Sequence, residues 1–111
     1  MGEWASWCSP CRLENRTTVA PLFKRFSGQG FSVYSVSIDN KKKPWIAAIS
    51  KDEMTWTNVS DLVGPNSPVA KQFGVSAIPV TFLIDAVTKT ILARDLRGEQ
   101  LKRYVEEYLA R

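Results

Sequence analysis

Trp4-Ala5-Ser6-Trp7-Cys8-Ser9-Pro10-Cys11 holds the only two cysteines of the 111-residue chain, two residues apart. Proline is tolerated in a first helical turn, where amides lack helical acceptors, so Ser9-Pro10 predicts a helix start. That spacing brings both sulfurs within bonding reach. Cys8 then sits at the exposed helix N-terminus, where unpaired amides and the helix dipole favour a thiolate. Cys11, one turn in, is expected to be less exposed. The asymmetry suits thiol–disulfide exchange, with Cys8 attacking and Cys11 resolving the mixed disulfide. A bare C-x-x-C also fits a pair of core cysteines or half of a metal site.

Working outward, Val19, Leu22, Phe23 and Phe26 give one apolar face to a helix over Cys11 to Phe26. Pro21 lies inside it and should kink it. A strand follows over Ser32 to Ile38, ending at Asp39-Asn40, a good place for a helix cap. Pro44 opens a helix to about Lys51, with Trp45, Ala48 and Ile49 on one face. A short strand is placed around Trp56 to Val59, and a short helix from Ser67-Pro68 carries Val69, Ala70 and Phe73 to Gly74. Val80 to Ile84 and Thr90 to Arg94 read as a hairpin. Leu101, Tyr104, Val105, Tyr108 and Leu109 mark a last helix over Glu99 to Ala110. Strands alternating with helices, then a hairpin, predict an α/β domain with a mixed sheet.

Composition narrows the chemistry. The chain has no histidine, so it has no Ser-His or Cys-His dyad and no imidazole metal ligand. Two cysteines without histidine cannot complete a four-ligand Cys/His zinc site. Fifteen basic against eleven acidic residues leave +4, and the longest basic run is Lys41-Lys42-Lys43. That run reads as a solvated surface, and no nucleic-acid motif accompanies it. No apolar stretch approaches the ~18 residues of a membrane span. Met1-Gly2-Glu3-Trp4 lacks the basic and apolar regions of a signal peptide.

A second, distant segment joins the cysteine motif: Gly74-Val75-Ser76-Ala77-Ile78-Pro79-Val80-Thr81-Phe82. Together the two resemble the thioredoxin superfamily, with Ile78-Pro79 in the place of its cis-proline loop. Cys11-Arg12-Leu13-Glu14, Val36-Ser37-Ile38-Asp39, the insert Trp45 to Phe73 and Phe82-Leu83-Ile84-Asp85 are similar to the TlpA/ResA-like thiol–disulfide oxidoreductases. The resemblance covers nearly the whole chain. It implies a single thioredoxin-like domain over 1–111, with a mixed sheet flanked by helices.

It also implies roles. Pro79 would be cis and pack beside the cysteines, and Ile78 would offer main-chain groups to an extended substrate peptide. Trp7, next to Cys8, would shield the thiolate or touch substrate. Glu14 corresponds to an active-site glutamate of the family, which could move protons to or from Cys11. The alternative for Glu14 is a solvated first-turn glutamate. Thioredoxin itself uses a buried aspartate six residues before its first cysteine, and that position here is Gly2. Trp45 and Trp56 read as core or groove lining, Asp39 and Asp85 as strand ends and turn caps.

Two departures stand out. The family's helix-bending proline falls at Arg16 here, with Pro21 later, which predicts a displaced kink. The family's long apolar strand before the cysteines is reduced to Met1 to Ala5, with Gly2-Glu3 a polar beginning. The first central strand is therefore expected to be short or missing, as in an N-terminally truncated domain. The expectation is a thin or exposed sheet centre beside Ser32–Ile38 and Val80–Ile84, open to pairing, which a second copy of the chain could fill as a homodimer.

The function expected is a thiol–disulfide oxidoreductase acting on protein disulfides or dithiols. It needs no organic cofactor and no metal, because the Cys8–Cys11 pair carries the electrons. The resemblance implies re-reduction by an upstream thiol reductase and a periplasmic or membrane-tethered place outside a bacterial cytoplasm. The alternatives are a thioredoxin-fold binding module impaired by truncation, a peroxiredoxin-like peroxidase and a copper(I) carrier. The peroxidase pattern sets its cysteine in a Thr- and Pro-containing loop with a supporting Arg, and Cys8 lacks the Thr. Copper(I) suits thiolates, but a cis Pro79 would crowd it.

Overall fold

The computed structural model describes residues 1–68 and 78–110. The expected short helix beyond Pro68 and the Gly74–Ala77 part of the second motif lie outside them. Five strands form one mixed sheet in the order β3-β2-β1-β4-β5. They are β1 (Gly2–Trp4), β2 (Tyr34–Ser37), β3 (Thr57–Ser60), β4 (Val80–Asp85) and β5 (Thr90–Arg94). β1 runs parallel to β2 and antiparallel to β4, β2 parallel to β3, and β4 antiparallel to β5. The helices are α1 (Ser9–Glu14), α2 (Ala20–Phe26), α3 (Lys42–Lys51) and α4 (Gly98–Leu109). This is the thioredoxin-like α/β arrangement that the resemblance implied.

The sheet centre corrects one expectation. It is short, as expected, but not open: Gly2 and Glu3 of β1 pair on both sides, Glu3 with Val36 and with Val80, and Trp4 pairs with Ser37 of β2. The ladder continues past β1, since the Ile38 amide donates to the Trp4 carbonyl at 2.9 Å. A polar dipeptide makes a poor isolated strand, but two flanking strands supply hydrogen bonds to a short central segment, and context outweighs propensity. No second copy is needed to fill this position.

The first helical stretch also departs from a simple kink. α1 passes through a π-helical turn, Asn15–Val19, directly into α2, whose first turn holds Pro21. Proline donates no amide and crowds the preceding turn, and a widened π turn accommodates both effects. The irregularity expected in this stretch thus includes a π-helical turn just upstream of Pro21.

Two packed clusters hold the layers together. Leu22 and Phe26 of α2 meet Leu101 and Val105 of α4. Trp4, Ala5, Cys8, Cys11, Ala20, Ile38, Ala48, Met54 and Trp56 form the other, with Trp45 and Ile49 against it. The core role expected for Trp56 is what the structure shows: its indole N–H donates to Ser35 Oγ at 2.8 Å, and its ring meets Phe23 edge-on. α4 begins one residue earlier than its pattern suggested. α3 begins at Lys42, two residues before Pro44, and Lys41–Lys43 are exposed.

Candidate active site

Cys8 is the N-cap of α1 and lies at the carboxyl end of the central strand. Its Sγ accepts the Cys11 amide at 3.3 Å, so a first-turn N–H already points at this sulfur. The two cysteines are joined as a disulfide, with Cα atoms 5.3 Å apart. Both are buried, Cys11 at 1% exposure and Cys8 at 7%, while Trp7 beside them is 59% exposed. An amide aimed at Sγ favours its anionic form once the bond is reduced. Cys8 is thus buried rather than exposed as its place at a helix start suggested, although it remains less deeply buried than Cys11.

The loop that carries Cys8 is held by Asp39. Its carboxylate accepts the Ser6 amide at 3.1 Å on each oxygen, the Ser6 hydroxyl at 2.5 Å, and the Ser37 hydroxyl. Asp39 is buried, as is Ser37. The helix-cap role expected for Asp39 is therefore corrected. α3 is preceded by Lys41, without a side-chain cap, and the carboxylate turns inward to serve a loop 33 residues earlier. Asp85 does cap its turn, accepting the Val87 and Thr88 amides. The Tyr108 hydroxyl also donates to it at 2.5 Å, and these bonds, Tyr108 first, hold its carboxyl below the usual range.

A second tie meets the other side of α1. Arg12 donates from Nε (2.7 Å) and Nη2 (3.1 Å) to Asp52, the residue that ends α3 and is fully buried. Arg16 reaches the same carboxylate at 3.5 Å. Hydrogen bonding to Asp52 raises the Arg12 guanidinium above its ordinary value. Neither Asp39 nor Asp52 stands out in the sequence as a site residue. Their partners are 33 and 40 positions away, beyond any local pattern.

The remaining expected site residues fall around this centre. The Ile78–Pro79 peptide bond is cis, and Ile78 packs against the cluster that contains both cysteines. Glu14 is placed one turn beyond Cys11, and its carboxylate accepts the Gly98 amide at 3.0 and 3.3 Å and the Thr18 hydroxyl at 3.0 Å. It thereby serves an otherwise unpaired amide at the start of α4. A carboxylate that the sequence did not single out lies close by in the chain. Glu3 is buried, and neither of its oxygens has a hydrogen-bond partner among the described residues. Burial raises its carboxyl above the usual range. By register it shares a sheet face with Val36 and Val80, opposite Trp4.

A vicinal cysteine pair capping a helix at the end of a central strand, on a five-stranded mixed sheet, defines a thioredoxin-like redox domain. Comparison with known proteins makes this specific. The chain belongs to the AhpC/TSA family, whose model it matches over residues 3–91. A thiol-disulfide oxidoreductase from Bacteroides fragilis NCTC 9343 superposes with a TM-score of 0.86 at 34% identity, over 96% of this chain and 77% of that one. A thiol:disulfide interchange protein from Bacteroides sp. gives 0.84 at 29% identity, over 99% and 71%. Thiol-disulfide oxidoreductase ResA of Bacillus thuringiensis subsp. konkukian is 27% identical over 106 residues. The chain spans 58% of that relative's length.

Proposed function

We propose that this chain is a thiol–disulfide oxidoreductase that exchanges electrons with protein disulfides, with Cys8 as nucleophile and Cys11 as resolving thiol. The observation that carries the reading is the bonded pair at the start of α1, with the Cys11 amide on Cys8 Sγ and Cys11 the more deeply buried. In the reduced protein the Cys8 thiolate attacks one sulfur of a substrate disulfide. The substrate S–S bond breaks, a Cys8–substrate disulfide forms, and the departing thiolate takes a proton. Cys11 then loses its proton and attacks Cys8 Sγ. The second substrate thiol leaves, and the chain holds the Cys8–Cys11 disulfide. Two electrons have moved to the substrate, and an external dithiol must return them.

In this reading residues 1–111 act as one thioredoxin-like unit, Trp7 offers an exposed aromatic face beside the attacking sulfur, and Ile78–Pro79 lines the groove for an extended peptide. Both placements are supported by the packing around the cysteines. Glu14 holds the start of α4, and a proton-moving part for it rests on the family resemblance alone. The same resemblance supports a place outside a bacterial cytoplasm and an upstream thiol reductase as electron donor. Among the described residues no helix is long and apolar enough to cross a membrane.

Insulin-disulfide reduction with dithiothreitol as donor tests the proposal. Wild type should turn over, and Cys8→Ser and Cys11→Ser should not. Turnover that survives Cys8→Ser would contradict it.

A further inference from the structure

Three distant parts of the chain meet at the first residues of α4. Arg97 donates from Nη2 to the Pro79 carbonyl at 2.5 Å. The next residue, Gly98, donates its amide to the Glu14 carboxylate. Gly98 has φ +54°, in the left-handed region that glycine enters without strain. Arg97 is the N-cap residue of α4, but its side chain makes no capping bond to the helix; it goes to Pro79 instead, and the Gly98 amide goes to Glu14. α4 is itself fixed, because Leu101 and Val105 are buried against Leu22 and Phe26.

We propose that Arg97 and Gly98 form a two-point brace that sets the Ile78–Pro79 loop against the helix carrying Cys8 and Cys11, with Arg97 a positioning residue for protein-disulfide substrates. This rests on the reading of Ile78–Pro79 as the segment that faces substrate. One side of the loop is already fixed, since Val80 pairs with Glu3 of the central strand. Pro79 brings no amide of its own, so its carbonyl is the group through which the loop end can be held. The helix side is held through Glu14, three residues beyond Cys11. Both arms start from adjacent residues, the N-cap and the first residue of α4, so the spacing between loop and dithiol is fixed by a single short segment. In-line attack on a bound disulfide is sensitive to such spacing at the scale of an ångström. A small disulfide that does not use the groove is indifferent to it.

Backbone amide exchange of reduced wild type, Arg97→Met and Arg97→Lys tests the brace without substrate. Arg97→Met should speed exchange at Ile78 and Val80 about tenfold, the worth of one charge-assisted hydrogen bond. Val105, within α4, should keep its rate, and Arg97→Lys, which retains a donor, should fall between. In kinetics, Arg97→Met should raise KM for insulin about tenfold. The pH profile of Cys8 alkylation by iodoacetamide should stay in place, whereas general loosening of the site would move it. Unchanged exchange at Ile78 and Val80, or a rise shared by Val105, would overturn the brace. If exchange changes as expected while wild type leaves insulin intact, the brace stands and the proposed activity falls. Insulin turnover by wild type with unchanged exchange in Arg97→Met sinks the brace alone.

Discussion

Replacing Asp39 by alanine tests how the loop before Cys8 is held. The carboxylate takes three donors: the Ser6 amide, the Ser6 hydroxyl and the Ser37 hydroxyl. A net hydrogen bond to a charged group contributes about 1.5–3 kcal/mol. Three such bonds would sum to more than 4 kcal/mol, but two donors are hydroxyls that can rotate toward other acceptors. Ser6 is only half-buried, so water can reach it after the change. Ser37 is fully buried and has no such recourse. The expected loss is therefore about 3–4 kcal/mol for Asp39→Ala, and about 2 kcal/mol for Asp39→Asn, whose amide keeps one acceptor and sets a donor against donors. In a domain of this size that corresponds to a fall in Tm of roughly 15 °C for the alanine variant. The assay is thermal and urea unfolding of the oxidised proteins, with Ser6→Ala and the Asp39→Ala/Ser6→Ala pair closing a double-mutant cycle. The cycle should return a coupling of about 1 kcal/mol or more. A loss below about 1 kcal/mol for Asp39→Ala, or no coupling to Ser6, would refute the assignment of Asp39 as the loop's anchor.

Three further outcomes are expected. Asp52→Ala removes the buried partner of a guanidinium that water can still reach and should cost about 1–3 kcal/mol in urea unfolding, against under 1 kcal/mol for the exposed Lys24–Glu53 pair; equal effects would show that burial of Asp52 is immaterial. Glu3 has a raised carboxyl, so its contribution to stability is full below the ordinary carboxylate value and is lost as pH rises through the raised folded value. Glu3→Leu should accordingly stabilise the fold at pH 7 by about 1–2 kcal/mol, with the gain shrinking toward pH 4; a gain independent of pH would show that the carboxyl does not titrate in the folded chain. If Glu14 moves protons for Cys11, Glu14→Gln shifts the pH dependence of insulin turnover, and an unmoved profile leaves it the structural contact with Gly98 alone.

The parts that were legible in the sequence are those whose signal is local. Leu101 and Val105 recur at helical spacing and are buried along one face of α4. Val80–Asp85 and Thr90–Arg94 form the hairpin that their spacing suggested. Ser9-Pro10 starts a helix because a first turn tolerates proline, and that alone puts Cys8 at its cap. β1 was expected only as a short remnant, from the resemblance, because Gly2-Glu3 carries no strand pattern of its own. It is a strand because β2 and β4 pair with it from both sides. The contacts that shape the site were hidden for a related reason. Asp39 meets Ser6, Arg12 meets Asp52 and Glu14 meets Gly98 across 33, 40 and 84 positions. A carboxylate next to Asn40 and before a lysine run carries a local message of helix capping, and the tertiary structure overrides it. Pro21 did announce an irregular helix, but its form, a π turn over Asn15–Val19, depends on how α1 and α2 are both held.

In the proposed reaction Cys8 attacks and Cys11 resolves. Its most direct test is to mix reduced Cys11→Ser with excess insulin and weigh the products under non-reducing conditions. A stable adduct bonded through Cys8, which dithiothreitol releases, should form with Cys11→Ser, and none with Cys8→Ser. An adduct that forms equally well through Cys11 in Cys8→Ser, or no adduct with either variant, would contradict it.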